Sequence, residues 1–389
     1  MRIGYLVSVL LVSCSPFPLF AATSEDTAAA FKEVYEEYRS ALRQGDRTRA
    51  REKAERALEL GEDLYCENHP NTARLTFNYA SLFRPKYYHG ANAEIVLEKA
   101  RLALRRYETA FAGDADELLQ PMILLVQVLG RALRSSAFED RESHDAAYSE
   151  MRALVTRSET TAKQSADPAA LPDLYLMLSK IGLDETEEWA DRAIDIYKQT
   201  FGENHRKTII AMLNAVPSYN KSKQLAMYNS ILTKSEDLSD FDNYLFAIHQ
   251  GLAVMYLERD AESQATEHLQ AAGSYLEKLD RQNTEYQPIN KRQPTYPRRA
   301  LRRGMSGWVI VEFTVTETGT VEDPNVVANC ARVQPLAKKG ECVNKSSRVF
   351  DNAALEAATG FRYIPRFKEG TPIAVKGVQN KISFELIVR

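Results

Sequence analysis

Beyond its first two dozen residues this chain has no long apolar run, and no later segment is apolar enough to cross a membrane as a helix. Cysteine is scarce, with only Cys14, Cys66, Cys330 and Cys342, which excludes a small scaffold held by dense disulfides. There is no Gly-rich phosphate loop, no His-Glu-x-x-His and no Gly-x-Ser-x-Gly. Gly304-Met305-Ser306-Gly307 lacks the spacing of a nucleophile elbow. Carboxylates are plentiful, but they fall at helical surface intervals among Lys and Arg. Such a pattern predicts solvated helix faces rather than an enzyme, and it calls for no cofactor. His69 and His205 recur, yet neither has a second ligand at metal-binding spacing. His89, His144, His249 and His268 are scattered.

What is present is uneven in charge. From Arg281 onward the chain holds 18 Lys and Arg against 10 Asp and Glu, a net of +8. The remainder, 32 against 43, carries −11. An acidic body with a basic end can steer association. No nucleic-acid motif accompanies the basic end, so a nucleic-acid partner is not expected. Arg298, Arg299, Arg302 and Arg303 are expected to form the solvated face of a short helix.

The N-terminus reads as a targeting segment. Arg2 precedes the apolar stretch Ile3–Val12, and Leu19-Phe20-Ala21 offers a cleavage site. Residues 1–21 are therefore expected to be a signal peptide, which places the mature chain in the periplasm. Two alternatives stay open. Leu11-Val12-Ser13-Cys14 has the form of a lipobox, which would leave an acylated Cys14. Residues 3–22 are about long enough to serve as an inner-membrane anchor, although Pro16 and Pro18 interrupt them.

Residues 24–280 show no strand pattern and only scattered prolines. They do show a repeat. Ala54-Glu55-Arg56-Ala57-Leu58, then Glu67-Asn68-His69 and Thr72, return at an offset of 136 as Ala190-Asp191-Arg192-Ala193-Ile194, then Glu203-Asn204-His205 and Thr208. A third copy at Ala100–Leu104 lies 46 residues after the first, and a degenerate one surrounds Arg152-Ala153-Leu154. A period near 45 means stacked helix pairs. Small alanines let the helices approach, and Thr72 and Thr208 are placed to cap the following helix. These copies resemble long tetratricopeptide (TPR) repeats of the kinesin-light-chain type. The pattern predicts about six helical hairpins between Ala28 and Leu279. Residues 281–293 form a polar linker.

Residues 294–389 are organised differently. Pro294-Thr295-Tyr296-Pro297-Arg298-Arg299-Ala300 opens a short helix that Gly304 can end. Trp308–Thr316 alternates, with Val309, Val311, Phe313 and Val315 on one face. Gly319 marks a turn and Val321–Ala328 a return strand. Asp351 is placed to cap a helix running to Gly360, and Phe361-Arg362-Tyr363-Ile364-Pro365 leads out of it. Val378–Val388 is the clearest strand, with Val378, Ile382, Phe384, Leu386 and Val388 on one face. The set Pro-x-Tyr-Pro-x-x-Ala, Gly307-x-Val309, Phe-Asp-x-Ala-Ala-x-x-Ala and Phe-Arg-Tyr-x-Pro, in that order, resembles the C-terminal domain of TonB proteins. The long insertion Asn329–Val349 departs from that family.

The expected fold class is therefore a mainly α, TPR-like α-solenoid plus a small α+β C-terminal domain, an antiparallel sheet packed on short helices. The TonB resemblance implies a Gram-negative envelope protein whose partners are proteins, an outer-membrane receptor or an envelope complex. It also implies that an extended partner segment adds beside the sheet. Gln379, Lys381, Ser383, Glu385 and Ile387 on the last strand are the expected partner-binding residues. The runner-up is a membrane-anchored energy transducer working with an inner-membrane motor of the ExbB–ExbD type. The family's long Pro-rich spacer is missing, and the solenoid stands in its place.

Cys330 and Cys342 flank a polar loop that holds Pro335 and Gly340. A disulfide closing it would contribute about 3 kcal/mol on the chain-entropy estimate. Cys66 is left as a small buried apolar residue. Thiol labelling of the exported protein is expected to modify neither Cys330 nor Cys342 until reductant is added. Labelling of both under non-reducing conditions, native and denatured, would exclude the bridge.

Overall fold

A computed structural model describes residues 21–83, 91–135, 137–138, 140–182, 185–235, 238–281, 286, 288–333 and 347–386. The signal peptide expected over residues 1–21 falls almost wholly outside these, and Cys14, Cys342 and Ile387 fall outside them as well. Among the described residues no helix is long and apolar enough to cross a membrane. The chain forms two compact units, Met1–Tyr219 and Asn220–Arg389.

The first unit is helical. It runs α1 (Ala21–Arg43), α2 (Arg47–Leu64), α3 (Pro70–Ala80), α4 (Ala91–Ala110), α5 (Ala115–Arg134), α6 (Arg141–Gln164), α7 (Ala170–Leu178), α8 (Thr186–Phe201) and α9 (Arg206–Ala215), closed by a 3₁₀ turn at Val216–Ser218. Each helix packs on the next. The repeated alanines are the reason they can. Ala54 and Ala57, Ala100 and Ala103, and Ala190 and Ala193 are all buried. Gly61 on α2 carries the approach further, because a Cβ there would lie 2.3 Å from Leu75 of α3. Asp46, Asp114 and Asp140 accept backbone N–H bonds at the starts of α2, α5 and α6.

The repeated turn is capped differently from the expectation. Thr72 and Thr208 are not the caps. His69 and His205 are, each accepting through Nδ1 from the backbone two residues on, Asn71 at 3.1 Å and Lys207 at 3.2 Å. Each imidazole also stacks on an aromatic ring at the end of the preceding helical segment, Tyr65 at 5.1 Å and Phe201 at 5.5 Å. The threonines point back instead. Thr72 donates to the Cys66 carbonyl and Thr208 to the Gly202 carbonyl, closing the turn from inside. The histidines recur because the cap recurs. Cys66 is half-buried in this turn at φ 42, and among the described residues no cysteine is a free thiol. This corrects the reading of Cys66 as a buried apolar residue.

The second unit joins helices to a sheet. It contains α10 (Lys221–Ser235), α11 (Asp242–Leu257), α12 (Glu262–Lys278) and α13 (Arg298–Arg302), then β1 (Met305–Val315), β2 (Val321–Val333), α14 (Asp351–Thr359), β3 (Arg366–Lys368), β4 (Thr371–Ile373) and β5 (Val375–Phe384). The main sheet has the order β2-β1-β5, antiparallel throughout. Val309, Val311, Phe313 and Val315 of β1 are buried against Ala354, Ala357 and Ala358 of α14. Gly319, at φ 81, turns β1 into β2, and its carbonyl accepts from Tyr363 N–H. β2 runs past the expected end at Ala328 to Val333, with register shifts against β1 and Asp323 at φ 51. Asp351 is not the cap of α14, for Phe350 holds that position. Asp351 instead accepts from Asn329 Nδ2 at 2.9 and 3.1 Å, tying the helix to β2.

The expected linker is also bound where it is described. Tyr286 donates to the Ile364 carbonyl at 2.7 Å, and Asn290 pairs with Arg362. Helix α12 lies against the same segment. Ala253, Leu269 and Ala272 share a core with Ile364, and Arg362 pairs with Glu262 at 3.0 Å. Gly273 permits this approach, since a Cβ there would lie 2.5 Å from the Pro365 carbonyl oxygen and 2.7 Å from the Phe367 ring. Gly273→Ala is therefore expected to destabilise the second unit by about 1–3 kcal/mol, an overpacking cost. Thermal unfolding followed by near-UV dichroism should report a lower midpoint. An unchanged midpoint would show that the contact yields.

Candidate functional site

The candidate site is the outer edge of β5. It begins with the hairpin before it, where β3 and β4 are joined by Glu369 and Gly370, both at positive φ (52 and 76). Two successive positive φ values match the twist of the flanking strands. Glu277 of α12 accepts from Gly370 N–H at 3.0 Å and holds the hairpin. The chain then enters β5, which pairs with β1 from Val315↔Val375 to Gly307↔Phe384. Among the described residues β5 bonds to no other strand, so one side of its backbone is unpaired.

The alternation is as expected over most of its length. Val378, Ile382 and Phe384 are buried, and Gln379, Lys381 and Ser383 are exposed. Phe384 stacks on Phe350 at 4.4 Å, with Tyr296 edge-on to both. Such aromatic pairs add about 0.5–1.5 kcal/mol each beyond area burial. Asn380 shares the buried face, a polar position that the expected apolar series passed over. Tyr363 is also buried in this core, and burial pushes its phenol up to about 12.

Three boundaries differ from the expectation. β5 starts three residues earlier, at Val375, and ends at Phe384 rather than Val388. Glu385 is exposed but lies beyond the strand, so its backbone is not part of the ladder. Ile387 is outside the described residues. The exposed face is also less free than alternation implies. Gln379 Nε2 donates to Glu312 Oε2 at 2.7 Å, and Lys381 Nζ sits 4.9 Å from the Trp308 ring centre. Both side chains reach across to β1, which leaves the backbone of β5 uncovered by them. A groove of about 620 Å³ opens at the start of β5, lined by Tyr286, Arg366, Val375, Lys376 and Gln379 among others. Backbone donors and acceptors beside a groove suit an extended peptide, which bonds through its main chain and places alternate side chains in pockets. Cys330, the other expected site residue, is buried on β2, and its pairing with Cys342 remains a proposal.

The C-terminal part of the chain is similar to a known family over a short segment. Residues 292–332 match the family described as Gram-negative bacterial TonB protein C-terminal. The matched TonB segment contains α13, β1 and nearly all of β2. Over 92 residues the chain is 29% identical to Protein TonB of Pseudomonas aeruginosa, a stretch that is 24% of this chain and 22% of that relative. The TonB-like part thus spans under a quarter of the relative's length. Solved structures match the larger part of the chain loosely. The crystal structure of BtubC (BKLC) from P. vanneervenii is 14% identical over 67% of this chain and 96% of that one, with a TM-score of 0.41. The apo form of the quorum sensor NprR from B. thuringiensis is 13% identical over 67% and 73%, with a TM-score of 0.30. Both likenesses are too loose to establish a shared fold.

One pairing was not visible in the list of scattered histidines. His249 of α11 and His268 of α12 meet at 2.9 Å between their Nδ1 atoms. Tyr275 stacks on His249 and Tyr256 on His268. The signal was there in the spacing, because His249 and Tyr256, and likewise His268 and Tyr275, are seven apart on one helix face. Burial, with His268 alongside, pushes His249 down to about 4. Burial also lowers His268, against the opposing pull of Glu267. The unfolded chain takes up these protons below about 6.5, before the folded pair does. Their contribution to stability is therefore full above about 6.5 and is lost as pH falls toward about 4. Chemical denaturation across that range should show a falling midpoint that His249→Phe flattens. Equal slopes in both proteins would mean that the pair does not titrate on folding.

Proposed function

We propose that this chain is a protein-interaction adaptor of the Gram-negative envelope, with its TonB-like domain capturing an extended partner segment by strand addition on β5. The observation that carries this reading is the unpaired backbone side of β5 in a sheet ordered β2-β1-β5. An exposed edge is a template for another strand unless something blunts it. Here no proline interrupts β5, and two of its outward side chains, Gln379 and Lys381, are drawn across the sheet. Gln379, Lys381 and Ser383 would lie along the added strand, with the groove at Val375 receiving one partner side chain. Glu385 and Ile387 would follow at its far end. The partner is an outer-membrane receptor or another envelope protein, and the helical unit offers a second surface. On this reading the mature protein works in the periplasm and carries a bridge between Cys330 and Cys342.

A second reading rests on the likeness to the Pseudomonas TonB protein. There residues 3–22 anchor the chain in the inner membrane and it energises outer-membrane transport with an ExbB–ExbD type motor. The mature N-terminal sequence separates the two readings, since an intact Met1 supports the anchor and a start at Ala22 the adaptor.

Edge capture has its own test. Proline at Ser383 removes a backbone donor and clashes with a ladder on that side. Ser383→Pro, shown to be folded by dichroism, is expected to lose the envelope partners that the unmodified protein retains in a pull-down. A photo-crosslinker at Gln379 should capture the same partners, and one at Lys368 should not. If folded Ser383→Pro recovers those partners unchanged, the edge is not the binding site and the helical unit carries the function.

A further inference from the structure

Between Glu285 and Glu312 there is no Asp or Glu, while Lys291, Arg292, Arg298, Arg299, Arg302 and Arg303 all fall in that stretch. All six are exposed, and among the described residues none forms an ion pair. Elsewhere the pattern is different, with Arg74, Arg101, Arg106, Arg152, Arg157, Arg192 and Arg362 each meeting a carboxylate. Leu301 sits in the middle of the arginines and is 55% exposed, more than any other large apolar side chain described.

This cluster is held rigidly from below. Ala300 is fully buried, and Tyr296 donates to the Met305 carbonyl while its ring packs edge-on to Phe350 and Phe384. Helix α13 therefore turns one small residue inward and presents Arg298, Arg299, Leu301 and Arg302 outward. A solvated helix face, as first expected, would need no apolar residue at its crest.

We propose that α13 and its flanks form a docking surface for an anionic phospholipid membrane. Guanidinium groups match phosphate oxygens bidentately and stay charged at any physiological pH. Several of them on one short turn suit many phosphates in a plane rather than one carboxylate. An exposed leucine among basic residues is the arrangement that enters the boundary between headgroups and acyl chains. The surface lies at the end of the sheet where β1 begins and β5 ends, since Gly307 pairs with Phe384. A strand added along β5 would then run toward the membrane.

The test is co-sedimentation of the full chain with vesicles of phosphatidylcholine, with and without phosphatidylglycerol. Binding is expected only with the anionic lipid, and it should weaken as added salt shortens the screening length. Arg298→Gln with Arg302→Gln should lower the partition constant by about fivefold per arginine. Leu301→Ser should weaken binding at unchanged charge. Lys368→Gln with Lys376→Gln removes equal charge from exposed positions outside the surface and should cost less. Equal binding to both vesicle types would overturn the proposal, as would a double-arginine loss no greater than the lysine control. Displacement from vesicles by millimolar inorganic phosphate would overturn it in favour of a small-anion site. Binding to polyglutamate with no binding to anionic vesicles would overturn it in favour of an acidic protein partner.

Discussion

The second unit depends on the position of β1. It is the central strand, bonded on both sides, and every second side chain from Val309 to Val315 is buried against α14 and its neighbours. A slip of one residue would exchange those four apolar side chains for Trp308, Ile310, Glu312 and Thr314. That cost fixes the register of β1, and β1 fixes the register of β5. The outward direction of Gln379, Lys381 and Ser383 follows from a core they do not enter. So does the reach of Gln379 to Glu312 and of Lys381 over Trp308, because cross-strand partners are set once the register is.

The helices before the sheet are part of the same argument. The matched TonB segment ends at residue 332, but the core that supports it does not begin at residue 292. Leu269 and Ala272 of α12 share a core with Ile364, and Glu277 holds the turn that aims β5. Tyr286, in a stretch whose composition is that of a linker, is bonded into the domain through Ile364. The site is thus oriented by residues from both sides of the segment that carries the family pattern.

The regular parts of this fold were legible in the sequence because they are periodic. Alternation gave β1 and the inward face of β5, and the 136-residue offset gave the repeated helix and turn. The fine chemistry was not legible, for identifiable reasons. Threonine is the commoner cap, but its hydroxyl here satisfies a carbonyl inside the turn and leaves the N–H groups to His69 and His205. Asp351 looked like a cap because it precedes an Ala-rich run, yet Asn329 claims its carboxylate from another strand. The helix hairpin's attachment to the sheet rests on Gly273, and a single glycine in a helix gives no sign of what approaches it. His249 and His268 are on different helices, and only their shared spacing to a tyrosine hints at a meeting.

The histidine caps have one more consequence. An imidazole accepts a backbone N–H only through an unprotonated nitrogen, so His69 and His205 hold α3 and α9 only as the free base. Burial holds His69 below the ordinary imidazole value, which extends that role into mild acid. At the start of α6 the bonds from Ser143 hold the Asp140 carboxyl below its ordinary range, so that cap goes on accepting well into acid. Acid would therefore not loosen the helical unit evenly. The joint before α3 is held by an unprotonated imidazole, whereas the one before α6 is held by an ionised carboxylate.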